Sequence, residues 1–446
     1  MCNLKVVYLL ILSSISLFSC KKFLDKKQST SLVSPTVLKD LQGLLDDAGN
    51  VMNRNLTPGL GEASNDDNFL LQSDWEMMNT TDQHFYTWTR NPYYFTNDWA
   101  KSYMPIYSTN YCLEQLNKAE RTITNAENWD NIKGSALFYR SYNFLNLLWN
   151  HAKAYNKSTA GTDLGIVLRL NSDFNERSIR ANVEESYRKV ISDAKESVSL
   201  LPELAAHVYR PSKCAAFGLL ARAYLSMREY DSAYKYSNLS LNIKKTLLNY
   251  RSLNMGASKP FAAFNDETIF YTEMYLGTSI TGFGLIDTIL YDSYATTDLR
   301  KRGFFRASGK YFGFKGSYAT SGLFTGIATN EMILTKAECS ARMGYIQEAL
   351  GDLNSLLKNR YDETFVPLSI SSSDQLIKVI LEERRKELLR RGLRWMDIKR
   401  LNEEGYNINL SRVVNGKSYS LNSGDPYFAL PLPTDVVEIS GIEQNP

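Results

Sequence analysis

Catalysis needs particular side chains at particular spacings, and this chain carries few of them. His84, His151 and His207 lie far apart, and no HExxH places two histidines and a glutamate on one helix face for zinc. No GxSxG elbow exposes a serine, and no GxxxxGK loop could wrap a phosphate. Glu62, Asp66 and Asp67 lie in a Gly- and Asn-rich stretch, and paired carboxylates are what a glycosidase requires. Acids in such a stretch are expected to be solvated or to cap turns. The reading is therefore a protein without catalytic residues, metal or cofactor. Cys112, Cys214 and Cys339 form no CxxC and no disulfide framework, and are expected to be small buried hydrophobes.

The densest charge lies in LEERRKELLRRGLRWMDIKRL, Leu381 to Leu401, where eight residues are Lys or Arg. A nucleic-acid clamp would show a wider basic footprint. Here 51 Lys plus Arg meet 48 Asp plus Glu, a net charge of +3, so no nucleic-acid partner is expected. Interleaved acids point to a framework node instead. Glu382 with Lys386 and Glu387 with Arg391 stand at i,i+4 spacing, Leu381, Leu388 and Leu389 supply an apolar stripe, and Gly392 interrupts the helix.

At the N-terminus, Lys5 precedes the apolar run Val6 to Phe18, too short for a membrane span and of the length of a signal-peptide core. It ends in Leu17-Phe18-Ser19-Cys20, which resembles a bacterial lipobox; the alternative is an ordinary cleaved secretory signal. Cys20 is the expected lipidation site, after removal of residues 1–19. Lys21 and Lys22 stand where an inner-membrane retention signal would place Asp, which favours the outer membrane. No other stretch is long and apolar enough to span a bilayer, so the rest is expected to be soluble apart from its anchor.

These features must be carried by a body that reads as helix. In ANVEESYRKVISDAKESVSLLP, Val183, Tyr187, Val190, Ala194, Val198 and Leu201 recur at helical spacing, with Asn182 as N-cap and Pro202 at the exit. Two later segments each place small alanines on either side of a turn: Ala221 and Ala233 about Arg228, Ala337 and Ala349 about Gly344. That is the pattern of tetratricopeptide-like helix pairs, and a third, degenerate pair runs from Tyr103–Ala119 into Gly134–Ala152. Two stretches break the rhythm, Leu56–Trp99 and Tyr271–Gly326, both mixing aromatics with Gly, Asn, Asp, Ser and Thr as functional loops do. The tail PYFALPLPTDVVEISGIEQNP is expected to be extended and to cross the surface.

Together these landmarks resemble the SusD/RagB family of outer-membrane nutrient-binding lipoproteins. The matching residues are Phe23-Leu24-Asp25 after Cys20, then Trp99, Tyr103, Ile106, Tyr107 and Asn110, then Ala136, Arg140, Tyr142 and Phe144. GIVLRL, Gly165 to Leu170, lies at the family's Gly-x-Pro-Leu-like strand with Val167 in place of Pro. Glu383, Arg384, Arg385, Glu387, Arg394, Trp395, Asp397 and Arg400 match its basic signature, and ALPLPTDVVEISGIEQNP its ending.

The resemblance implies a mainly α fold: tetratricopeptide-type helix pairs in a superhelical scaffold, with long irregular loops and short β hairpins packed on one side. It implies a division into a signal at 1–19, an N-terminal region at 20–326 with helix pairs and ligand-face loops, and a C-terminal region at 327–446. It also implies non-catalytic capture of an oligosaccharide, or in some branches a peptide, for a SusC-like TonB-dependent transporter at the cell surface. Rings that stack on sugars would come from the irregular stretches: Trp75 and Trp88 from the first; Tyr275, Tyr291, Tyr294 and Tyr311 from the second, with Arg300 or Arg302 as polar partners. Trp99, Trp149 and Trp395 are assigned to the framework. The other readings are a helical scaffold for protein partners without a small ligand, and a surface hydrolase.

Overall fold

The structure, a computed structural model, describes residues 36–446. The expected signal peptide, Cys20 and the Phe23-Leu24-Asp25 step lie outside the described residues.

The helical periodicity becomes an array of packed helices. We label the longer ones α1 (Leu38–Leu45), α2 (Asp98–Leu116), α3 (Ala126–His151), α4 (Val183–Leu200), α5 (Lys213–Ser226), α6 (Tyr230–Ile243), α7 (Thr329–Arg342), α8 (Ile346–Lys358), α9 (Ser373–Glu387) and α10 (Arg394–Asn402). α4 starts where its sequence says. The Asn182 side chain accepts from Glu185 N, and the Glu185 side chain accepts from Asn182 N in return, so the first turn loses two orphan donors. α3 packs between α2 and α4, and its second half, Gly134 to His151, is buried all round.

The pairs α5–α6 and α7–α8 are antiparallel neighbours, and α6 also packs on α7. Ala221, Ala233, Ala337 and Ala349 are fully buried at these crossings, where a larger side chain would hold the backbones apart. Both turns need a left-handed residue. Gly344 supplies φ +83° without strain, whereas Arg228 holds φ +63° with a β-carbon. The main core runs through the array from Leu41 to Ile442 and includes Cys112 and Cys214, while Cys339 is buried in a smaller cluster with Leu225 and Ala233.

Short two-stranded pairs decorate the irregular stretches. Asn68–Phe69 pairs with Leu285–Ile286, and so ties the two stretches together. The hairpin Leu410–Val414 with Lys417–Leu421 turns at Asn415 and Gly416, both at positive φ, the geometry that Asn-Gly favours between twisted strands. A second core, with Leu60, Phe85, Tyr86, Trp88, Trp395 and Phe428, lies beneath these loops.

Three expectations are corrected. The tail does not cross the surface as an extended strap: Tyr427 to Pro433 are buried and Thr434–Ser440 is helical. Of the two expected helix-surface ion pairs, neither forms. Lys386 Nζ lies 2.8 Å from Glu383 Oε1, and Glu387 is held between Arg300 and Arg360 at 3.1 and 2.8 Å. Glu383 and Glu387 face inward onto the desolvated Arg300 guanidinium, and α9 ends at Glu387, so Arg391, itself buried, no longer stands one helical turn from it. Last, of the three acids expected to be solvated or to cap turns, Glu62 and Asp67 are buried and Asp66 is part-buried in an ion pair. Arg394 grips Asp66 through Nε and Nη2, both at 2.8 Å, and Arg385 Nε bonds Asp67 Oδ1 at 2.8 Å. The stretch 381–401 is the ion-paired node its composition suggested, with different partners.

Candidate functional site

A cleft of about 260 Å³ opens where the two irregular stretches meet. The first stretch builds one wall from two helix starts. Asn79 caps the short helix Thr80–Tyr86, its Oδ1 accepting from Asp82 N at 2.9 Å, and Asn97 caps α2 by accepting from Ala100 N at 2.9 Å. Asp82 and Asp98, each in a first helical turn, are thereby aimed at the same space.

The second stretch supplies Tyr275. Its backbone N donates to Thr57 O at 2.8 Å, so the loop is sewn to the first stretch. Its ring folds back over Gly277, where a β-carbon would stand 2.0 Å from the ring. Tyr94, 55% exposed, forms the outer rim.

The polar groups are half spent. Asp98 Oδ2 accepts from Gly59 N and Leu60 N, both at 2.7 Å, and Asp82 Oδ2 accepts from Ser279 N at 3.0 Å and Asn79 Nδ2 at 3.1 Å. Among the described residues the Oδ1 of each acid has no protein donor. The buried Asn97 Nδ2 has no acceptor either. Burial pushes the Asp98 carboxyl up to about 7, with Asp82 adding to the push and the two N–H donors opposing it. Carboxylate acceptors, an amide donor and two rings can hold a polyhydroxylated ligand with an apolar face.

Two other clefts join the same stretches. One of about 360 Å³ lies by Leu71, Phe283 and Arg306, and has no ring from the first stretch. The other, about 420 Å³, has Phe69, Tyr86 and Trp88 from the first and no ring from the second.

Of the sequence-derived candidates, Tyr275 alone lines the cleft with Tyr94. Trp88 is a core residue: its Nε1 donates to Ser64 O at 2.9 Å, and the Arg412 guanidinium covers its ring at 4.6 Å. Tyr294 is buried, its hydroxyl donating to Lys386 O at 2.8 Å. Arg300 is 0% exposed and is enclosed by Asp298, Glu383 and Glu387. Tyr294 and Arg300 have no surface left for a ligand, because the loops that hold them fold inward, and Trp88 shows only an edge to the cleft of about 420 Å³. Trp75 is half-buried against the second core. Tyr291 is stacked on Phe312 at 3.6 Å, and Tyr311 sits edge-on to Phe69 at 5.0 Å. None of these lines the cleft, and exposed Arg302 does not either.

Sequence reasoning missed Tyr94, Asn97, Asp82 and Asp98. The signal was present in the run Pro92-Tyr93-Tyr94-Phe95-Thr96-Asn97-Asp98, aromatics leading directly into an N-cap. Among the described residues no group of three or more His, Cys, Asp or Glu is placed to hold a metal.

Comparison with known families settles the frame. Residues 22–225 match a SusD-like family described as starch-binding and associating with the outer membrane, and residues 291–431 match the SusD family. The chain belongs to the SusD family. A comparison with curated proteins finds no match. Solved SusD-superfamily structures share the fold. One from Bacteroides thetaiotaomicron is 19% identical with a TM-score of 0.74, covering 92% of this chain and 100% of its own. One from Bacteroides fragilis is 21% identical with a TM-score of 0.72, covering 92% and 99%. A Bacteroides vulgatus structure, described as a SusD-like carbohydrate binding protein, is 18% identical with a TM-score of 0.67, covering 90% and 96%.

In this SusD-family chain the signature residues serve the frame. Trp99 and Trp395 are buried, Arg140 grips Asp193 at 2.8 Å, and Arg400 grips Glu338 at 2.6 Å. Tyr103, Ile106 and Tyr107 line a separate apolar cavity of about 340 Å³ beside the helix Thr434–Ser440. Among the described residues no helix is long and apolar enough to cross a membrane.

Proposed function

We propose that this SusD-family protein captures an oligosaccharide in the cleft between Tyr94 and Tyr275, and delivers it to a TonB-dependent transporter of the SusC type. Residues 1–19 are removed as a signal peptide, and lipid on Cys20 anchors the protein at the outer surface of the outer membrane. The observation that carries the binding role is the cleft itself. It pairs one accessible ring from each irregular stretch with two carboxyl groups whose protein donors all fall on Oδ2, and with the unpartnered Asn97 amide. Stacked rings take the apolar face of a pyranose, while Asp82, Asp98 and Asn97 take its hydroxyls. The carbohydrate-binding relative from Bacteroides vulgatus supports the ligand class.

Two acids in one cleft are also what a glycosidase needs. Members of this family are binding proteins, and here Asp82 and Asp98 each have one oxygen tied to backbone N–H groups that fix the fold. The reading is capture without cleavage.

Affinity electrophoresis of the chain from Lys21 on, against a panel of neutral, amine-bearing and acidic polysaccharides, tests it. Retardation by at least one glycan, lost in Tyr94→Ala and Tyr275→Ala with the fold intact, is expected, with no new reducing ends. No retardation by any glycan overturns capture, and new reducing ends overturn the non-catalytic reading.

A further inference from the structure

Buried acids in this protein have basic partners. Arg140 lies 2.8 Å from Asp193, Arg222 2.7 Å from Glu331, Arg300 2.7 Å from Asp298, and Arg360 2.6 Å from Glu267. Among the described residues three buried acids form no ion pair. Glu62 is one; its charge is offset by Arg390, and it does not line the cleft. The other two are Asp82 and Asp98, 3% and 2% exposed, and both line the cleft.

A carboxylate withdrawn from water costs several kcal/mol unless a cation or a full set of donors replaces the water. Here each acid has donors on Oδ2 and none on Oδ1. No basic residue lines the cleft. The nearby Lys101 forms no ion pair with either acid; its Nζ lies over the Tyr275 ring at 5.6 Å from the centroid, so that ring already carries one cation and the acids do not. The fold therefore holds at a ligand-sized opening the unpaired Asp82 carboxylate and the Asp98 carboxyl, and leaves their compensation to whatever enters. Burial pushes the Asp98 carboxyl up to about 7, and an entering cation would help to ionise it. The buried Asn97 Nδ2, also unpartnered, adds a donor to the same wall.

Building on the glycan-capture reading, we propose that the cleft selects a sugar unit bearing a protonated amino group. Its ammonium pairs with the open carboxylate oxygens of Asp82 and Asp98, and its ring lies against Tyr94 and Tyr275. Charge-assisted N–H···O bonds supply the selectivity, and a neighbouring hydroxyl accepts from Asn97. The electron-rich face of Tyr94 also favours a cation. Uronic acids and sulfated sugars carry the wrong sign. A lysine side chain carries the same ammonium, but it lacks the flat array of C–H groups that two tyrosine rings can cover.

The test is calorimetry at low salt, near pH 7, on the chain from Lys21 on. The probes are a β-1,4-glucosamine trimer, its fully N-acetylated counterpart, a cellulose-type trimer, a galacturonate trimer, and a short lysine-rich peptide. The free-amine trimer is expected to bind about 10- to 100-fold more tightly than the acetylated one, to weaken as salt rises, and to lose its advantage in Asp82→Asn. The wild-type ratio decides even if that variant fails to fold. Equal binding of the amine, acetylated and cellulose-type trimers overturns the amine preference while glycan capture stands. Tighter binding of galacturonate overturns it outright. Binding of the peptide without any glycan overturns both the sugar assignment and glycan capture. No binding by any probe overturns the amine preference, and the polysaccharide panel then decides whether capture survives.

Discussion

Asp397 Oδ2 accepts from Arg384 Nε at 2.9 Å across the break at Gly392, locking α9 to α10 through one ion pair. Asp397 Oδ1 accepts from Arg400 Nε at 2.7 Å, and Arg400 reaches on to Glu338 in α7. The charge-dense C-terminal stretch thus joins three helices. Removing one member of such a buried set strands the others without compensation, a cost of about 3–5 kcal/mol. Asp397→Ala should lower the urea midpoint by the corresponding amount. A midpoint unchanged from wild type would show that the node contributes no stability.

Arg300 separates a framework role from a ligand role. Arg300→Met leaves Asp298, Glu383 and Glu387 around an apolar side chain, and should cost about 3–5 kcal/mol. Its glycan affinity, measured at a temperature where the variant is folded, should equal wild type. Lost affinity with undiminished stability would return Arg300 to the ligand face.

Gly277 gives the opposite pattern. A β-carbon there would meet the Tyr275 ring at 2.0 Å, and the ring, a half-buried side chain at the cleft mouth, is what can move. Gly277→Ala should leave stability within about 0.5 kcal/mol while weakening glycan binding about 10-fold, the scale of one displaced ring. Calorimetry and thermal melting on the same sample separate the two effects.

Glu62 gives a pH signature. Burial pushes its carboxyl from 4.5 up to about 7, with Asp67 adding to the push and Arg390 opposing it. Between those values the native state keeps a proton that the unfolded chain has released. Stability from this group is therefore present below about pH 4.5 and is lost as pH rises to about 7. Glu62→Gln does not titrate, so its stability should rise relative to wild type from pH 5 to 7 and then level off. Urea titrations at pH 5, 6, 7 and 8 read the difference, and a constant offset across that range would place the Glu62 carboxyl at its ordinary value.

The frame of this protein was legible in its sequence because its signals are local. Helical spacing in Val183–Leu201, the Asn182 cap, and the small alanines beside Arg228 and Gly344 each act within a few residues of chain, and each reappears in the structure. The framework role of Trp99, Trp395 and the 381–401 stretch was legible for the same reason. Partner choice inside that stretch was not. Arg391 and Arg300 are both buried, and whether Glu387 meets one or the other depends on where α9 ends and which elements pack beside it, which only tertiary structure decides.

The cleft depended still more on tertiary structure. A tyrosine in an irregular stretch looks the same whether its loop folds inward, as at Tyr294, or lies across another loop, as at Tyr275. Asp82 and Asp98 read as ordinary N-terminal helix acids until two helix starts and the 275–278 loop converge on them. By itself the sequence determined the helices, their pairing pattern and the absence of the catalytic motifs sought. Which rings and acids share a surface was decided by contacts between residues about two hundred positions apart, such as Thr57 with Tyr275 or Asp82 with Ser279. No local spacing encodes such contacts.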